Sequence, residues 1–292
     1  MMEKLKGTGV ALVTPFDQKL CVDFEGLGKL LQLTTEGGIN YFVVHGTTGE
    51  AAATTLEDKK EILTFIKAHN PKNLPLVYGL GGNNTSDILK KVASTDFQGI
   101  GAILTVSPYY NRPSQEGIYL HYRSIADACP VPIILYNVPS RTGSNMEATT
   151  VLRLSDHSNI IGIKEASGDL VQCLTIAKDK PGDFLLISGD DILTVPMIAI
   201  GAVGVISTLA NGFPTHVCQM VEAALRNDYT KARRYQFELL KIHEIVAKEG
   251  NPAATKQILE VLTICKNYVR LPLAPVSAEV VEKIRTTTRL LI

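Results

Sequence analysis

Short aliphatic runs alternate with longer segments of helical periodicity along most of the chain. The runs cover residues 10–14, 41–45, 76–80, 101–106, 132–136, 160–164, 184–188 and 203–207. Their polarity is continuous rather than alternating, as in strands buried on both faces of a parallel sheet. Between and after them the periodicity predicts helices over 23–35, 56–69, 85–97, 114–129, 147–155, 170–178, 192–200 and 215–226. Asp23 reads as an N-cap, Gly37-Gly38 as a stop, and a Thr or Ser as the cap of the helix at 85. Repeated strand–helix units with right-handed crossovers point to a closed (β/α)8 TIM barrel. The runner-up, an open doubly wound sheet, would more often carry a glycine-rich turn after strand one, and T-P-F-D is not one.

Residues 229–292 lack strand signals and read as a C-terminal helical extension, with helices over 229–248, 252–265 and 277–291. L-P-L-A-P is a stiff connector before the last of these. The division expected is a barrel with the active site over 1–228 and a helical domain over 229–292.

Composition narrows the function classes. Lys+Arg and Asp+Glu are equal at 29 each, which argues against an electrostatic footprint for nucleic acid or an anionic membrane. The stretch 192–206 is the longest mostly apolar one, and Pro196 and two glycines break it well short of a membrane span. The N-terminus lacks the apolar core of a signal peptide. The five cysteines form no C-x-x-C pair and read as reduced thiols of a cytoplasmic protein. The six histidines are dispersed without H-E-x-x-H, so no metal site is expected.

The unusual feature is Lys164, in the middle of N-I-I-G-I-K-E-A-S-G-D, where the aliphatic run of the sixth strand ends. A buried ammonium loses its hydration, and an amine that sheds its proton is a nucleophile toward ketones. The bland alternative is a strand-end lysine snorkelling to water. The other strand exits tip the balance, because catalytic groups of such barrels gather there. Thr47 and Thr48 follow strand two, Tyr109 and Tyr110 strand four, and Gly189, Asp190 and Asp191 strand seven. Tyr136 ends strand five, with Arg141 in the loop beyond. G-T-T-G-E is either a tight turn with a helix cap or a cradle for a small carboxylate. Tyr109-Tyr110 is a surface pair or a functional one. Arg141 offers its fork to a local carboxylate or to an anionic ligand. Asp190-Asp191 reads as a helix cap rather than a metal site, and His45 as packed beneath the second loop.

G-T-G-V-A-L-V-T-P-F, G-T-T-G-E, S-P-Y-Y-N-R-P-S-Q-E-G, L-Y-N-V-P-S-R-T-G, G-I-K-E-A-S-G-D, S-G-D-D and G-A-V-G-V-I-S occur in that order. With these motifs the chain resembles, end to end, the dihydrodipicolinate synthase family of the N-acetylneuraminate lyase superfamily of class I aldolases. The resemblance implies condensation of pyruvate with L-aspartate 4-semialdehyde, on the way to diaminopimelate and lysine. It implies Lys164 as the imine-forming amine, Tyr136 as the proton shuttle, and Thr47 as the link to Tyr110, which crosses from a neighbouring subunit. It further implies Thr48, Gly189 and the main chain of Ile206 around the pyruvate, and Arg141 on the semialdehyde carboxylate. No external cofactor is implied, and the assembly expected is a homotetramer, a dimer of dimers.

Two departures from the family pattern stand out. Lysine-inhibited members use histidines on the helix after G-T-T-G-E, where this chain has Leu56 and Lys59; Asn83 and Tyr109 remain, and Asp87 replaces a usual glutamate. Weak or absent lysine inhibition is expected. N-P-A-A-T-K replaces the usual N-P-I-P-V-K, a change expected to touch helix packing and leave the chemistry alone. The rivals are another pyruvate-dependent aldolase, such as an N-acetylneuraminate or keto-deoxy-sugar lyase, and a non-catalytic pyruvate-binding barrel. Arg141 discriminates against the first, because a polyhydroxy aldehyde needs hydroxyl partners rather than a cation. The complete set of Lys164, Tyr136, Thr47 and Tyr110 argues against the second, because binding alone needs no proton relay.

Overall fold

The computed structural model describes residues 2–292. Its strands are β1 (Gly7–Ala11), β2 (Tyr41–Val44), β3 (Leu76–Gly79), β4 (Ala102–Val106), β5 (Ile133–Asn137), β6 (Ile160–Glu165), β7 (Leu185–Ser188) and β8 (Gly204–Ser207). They close in sequence order into a parallel barrel, with β8 pairing back onto β1. The surrounding helices are α1 (Phe24–Glu36), α2 (Leu56–His69), α3 (Thr85–Ser94), α4 (Gln115–Ala128), α5 (Pro139–Thr142) and α6 (Ala148–Ser155). They continue as α7 (Leu170–Asp179), α8 (Thr194–Ala199), α9 (Pro214–Leu225), α10 (Tyr229–Glu249), α11 (Ala253–Val261) and α12 (Ala278–Leu291). This is the (β/α)8 barrel expected, followed by C-terminal helices. Among the described residues no helix is long and apolar enough to cross a membrane.

The period of two along each strand separates two cores. Val43, Val77, Leu104, Ile134, Ile187 and Ile206 fill the barrel interior. Their neighbours Val44, Leu76, Ile103, Leu135, Leu186 and Val205 face the helices, in one apolar cluster that also takes in Ile242, Ile258 and Ile284 of the C-terminal helices. Because Ile163 belongs to the outer core, its successor Lys164 is turned toward the barrel axis. A register shift between Ile133 and Ile134 sets Tyr136 directly beside Lys164.

Several boundaries differ from the sequence expectation. The first strand occupies residues 7–11 rather than 10–14. Gly7 N–H bonds Val203 C=O at 2.9 Å, whereas Val13 N–H is taken by the Asn211 side chain at 3.1 Å, which ends the ladder. The cap of α3 is Asn84, whose Oδ1 accepts from Ser86 N–H at 3.0 Å; the Thr85 hydroxyl instead meets the His121 ring at 2.8 Å. That helix stops at Ser94 rather than 97, because Thr95 turns to extended backbone. The expected 252–265 helix ends at Val261, ahead of Thr263 in the left-handed region at φ 60°. The single turn of α5 was not expected at all.

A buried ion pair joins the C-terminal helices to the barrel mouth. Lys256 Nζ on α11 donates to Glu50 Oε1 at 2.5 Å, with both side chains fully buried. Removing one partner of such a pair strands the other charge, at a cost of about 3–5 kcal/mol.

Candidate active site

A cavity of about 330 Å³ opens at the C-terminal end of the strands. Thr47, Thr48, Tyr136, Arg141, Lys164 and Gly189 line it, so six of the eight residues singled out by the sequence converge there.

Lys164 is 6 % exposed and makes no salt bridge among the described residues. Its Nζ lies 4.5 Å from the centre of the Tyr136 ring. The next residue, Glu165, points the other way into a buried network. Asn137 Nδ2 donates to both of its oxygens at 3.1 and 3.0 Å, Ser167 N–H at 2.6 Å and Gln172 Nε2 at 3.0 Å. Burial raises the Glu165 carboxyl above the usual carboxylate range against the pull of these donors. The network ties the exits of β5 and β6 to α7, and so holds the segment that carries Lys164. Gly162, two residues earlier, has no room for a side chain, since a Cβ would lie 2.6 Å from the Leu185 carbonyl oxygen.

The G-T-T-G-E turn leaves β2 through His45, which is left-handed at φ 59°. Gly79 permits this, because a Cβ there would sit 2.2 Å from the His45 carbonyl oxygen. Thr47–Gly49 form one 3-10 turn, closed by Glu50 at φ 55°. The Thr14 hydroxyl donates to Gly49 C=O at 2.7 Å, and Thr48 Oγ1 accepts from Asn251 Nδ2 at 2.8 Å. His45 lies buried under this turn as expected, its Nε2 3.1 Å from Lys59 C=O; burial lowers its pKa to about 4.

Arg141 sits in α5, whose turn begins at Pro139 and is closed by Gly143 at φ 74°. The guanidinium is exposed at the cavity rim, and Nη2 donates to Asn251 C=O at 3.3 Å. Asp190 caps the turn after β7, accepting from Ile192 N–H at 3.0 Å, and lies 3.6 Å from His243 Nε2. Burial alone would raise the Asp190 carboxyl, but His243, the Ile192 N–H and Lys164 outweigh it and lower the pKa. Asp191 is a loop clamp, accepting from Thr208 N–H at 3.0 Å, Leu209 N–H at 3.1 Å and the Ser207 hydroxyl.

Two of the singled-out residues lie outside the cavity wall. Tyr110 is 90 % exposed, on a loop left-handed there at φ 72°. Ile206 is buried in the barrel interior with its backbone in register with Gly9. Conversely, His243, Val246, Gly250 and Asn251 form a wall of the cavity that the helical periodicity did not foretell. The departure at N-P-A-A-T-K was expected to touch helix packing and leave the chemistry alone; Asn251, which the usual N-P-I-P-V-K shares, borders the cavity. Asn251 touches both Thr48 and Arg141, and Thr255, one of the departing residues, donates to Asn251 Oδ1 at 3.3 Å. A polar Asn and a Lys inside an otherwise buried stretch were the available signal.

A buried primary amine beside a phenol, with threonine hydroxyls on one side and a guanidinium at the rim, suits covalent capture of a small keto acid. Known proteins agree in sequence and fold. A chain from Cytophaga hutchinsonii named 4-hydroxy-tetrahydrodipicolinate synthase is 46% identical over 97% of this chain and 95% of its own length. One of the same name from Parabacteroides distasonis is 46% identical over 98% and 96%. The crystal structure of dihydrodipicolinate synthase from Aquifex aeolicus superposes with a TM-score of 0.94 at 34% identity, covering 98% of each chain. Residues 4–290 match the dihydrodipicolinate synthetase family as a whole, and the chain belongs to that family.

Proposed function

We propose that this protein condenses pyruvate with L-aspartate 4-semialdehyde to give 4-hydroxy-tetrahydrodipicolinate, a step toward diaminopimelate and lysine. The observation that carries the reading is Lys164 set beside Tyr136 in a cavity rimmed by Arg141. The Lys164 amine adds to the pyruvate carbonyl and water leaves, forming an imine. The protonated imine is an electron sink, so the methyl group loses a proton and an enamine forms. The enamine carbon attacks the aldehyde, and the aldehyde oxygen takes up a proton. The amino group of the semialdehyde then attacks the imine carbon, closing the ring and freeing Lys164.

Each step moves a proton, and Tyr136 is the group placed to shuttle it. Thr47 carries the relay onward to Tyr110 of a second copy of this chain. The 90 % exposure of Tyr110, with Tyr109 and Leu56 also exposed, supports that self-association, and a dimer of dimers is the arrangement we infer. Thr48 and Gly189 receive the keto-acid end, with the Ile206 backbone closing from strand eight. Arg141 takes the semialdehyde carboxylate. Five unpaired cysteines support a reducing, cytoplasmic setting.

A coupled assay tests the reading. Pyruvate with the semialdehyde should turn over, and pyruvate with N-acetylmannosamine should not. The opposite preference would reassign the enzyme to sugar-acid chemistry.

A further inference from the structure

We propose that Glu50 and Lys256 are positioning residues for the reaction, and that their buried ion pair holds the Thr47-Thr48 turn where it receives the keto-acid carboxylate. The inference rests on the reading of Thr48 given above and adds what sets its place.

Glu50 occupies the left-handed region without being glycine, at φ 55°. Such a conformation persists where the surroundings over-determine it, and here they do. Oε1 meets Lys256 Nζ at 2.5 Å, and Oε2 accepts from Arg270 N–H at 2.9 Å. Lys256 Nζ also donates to Tyr268 C=O at 2.7 Å. The Lys256 ammonium and the Arg270 guanidinium both lie against Phe16, at 4.1 and 4.3 Å from the ring centre. Arg270 reaches on to Asp58, which completes the capping box of α2.

The same C-terminal segment holds the turn at a second point, through Asn251 Nδ2 on Thr48 Oγ1 at 2.8 Å. The turn is thus gripped at Thr48 and again two residues later at Glu50. Stability alone would be served as well by apolar packing, because a buried ion pair carries a large desolvation cost. What the pair adds is a single register. A turn that slips by one hydrogen bond moves the Thr48 hydroxyl by more than a contact distance, and small misplacements of a binding group cost much in rate.

The test uses Lys256→Met, Glu50→Gln and Lys256→Arg in the full-length protein. Steady-state kinetics are combined with counting of active sites by pyruvate and borohydride. The pyruvate KM is expected to rise about tenfold in the first two variants, with the semialdehyde KM within about twofold of wild type and imine trapping complete at saturating pyruvate. Lys256→Arg keeps the charge and should recover most of the loss. A pyruvate KM unchanged in folded variants, with only Tm lowered, would overturn the proposal and leave the pair a structural one. If Lys256→Met does not fold, Glu50→Gln and Lys256→Arg read the same parameter. Thr48→Val separates the two levels. An unchanged pyruvate KM there overturns the role of Thr48 and the positioning with it, whereas a raised KM beside a wild-type Glu50→Gln overturns the positioning alone.

Discussion

Lys164 and Tyr136 are Cα partners on adjacent strands, and the amine stands 4.5 Å from the centre of the phenol ring. The extra residue Ile161 in β6, opposite the step from Ile133 to Ile134, creates this pairing, since a one-residue slip would turn one of the two side chains out of the barrel. Tyr136→Phe keeps the ring and removes only the hydroxyl. It should lower kcat by about 10²–10⁴-fold, the range of a lost general acid–base group, while the circular dichroism spectrum stays unchanged. A loss under threefold would mean that the proton travels by another route.

The Arg141 guanidinium is exposed at the rim, and its one side-chain hydrogen bond among the described residues goes to Asn251 C=O. Arg141→Ala should therefore cost little stability. It should lower kcat/KM for the semialdehyde about 10–100-fold, as for a hydrogen bond to a charged group, and leave imine formation with pyruvate intact. Equal loss in both would assign the arginine to holding Asn251 rather than the substrate.

Leu56 is exposed at the start of α2, and Lys59 lies one turn on, half-buried. An apolar side chain and a second cation offer nothing to the ammonium groups of free lysine. Millimolar lysine is expected to leave the initial rate nearly unchanged. Strong inhibition would place an effector site elsewhere on the surface around Asn83 and Tyr109.

His121 is buried against Thr85, and burial lowers its pKa to about 4. In the unfolded chain the ring titrates near the ordinary 6.5. Below that value the unfolded state takes up a proton that the folded state refuses. The stabilising contribution is complete above pH 6.5 and is lost as pH falls toward about 4. Wild type should thus lose about 2 kcal/mol more than His121→Gln between pH 7 and pH 5 in urea titrations. His45 acts in the same direction, while His243, whose pKa is raised by Asp190, acts in the opposite one. The comparison of wild type with the variant isolates His121. Parallel losses would mean that the ring is already protonated in the fold.

The barrel was legible because each strand is buried on both faces and so spells a continuous aliphatic run. It was misread at β1, where Gly7-Thr8-Gly9 carries no hydrophobic signal yet supplies the ladder. The candidate site residues on the strand exits were legible because a lysine, a strand-end tyrosine and an arginine have no reason to crowd closed loops. The opposite wall was not. His243 and Asn251 reach the cavity from α10 and its end, and Lys256 meets Glu50 across 206 positions of sequence. Periodicity reports which face of a helix is apolar, not which distant turn a single buried lysine will meet.

The most direct measurement is mass spectrometry of the protein after treatment with pyruvate and borohydride. One reduced pyruvate adduct per chain is expected, located by peptide mapping on Lys164 and absent from Lys164→Ala. An adduct on another lysine, or none on the native protein, would contradict covalent capture at the end of the sixth strand.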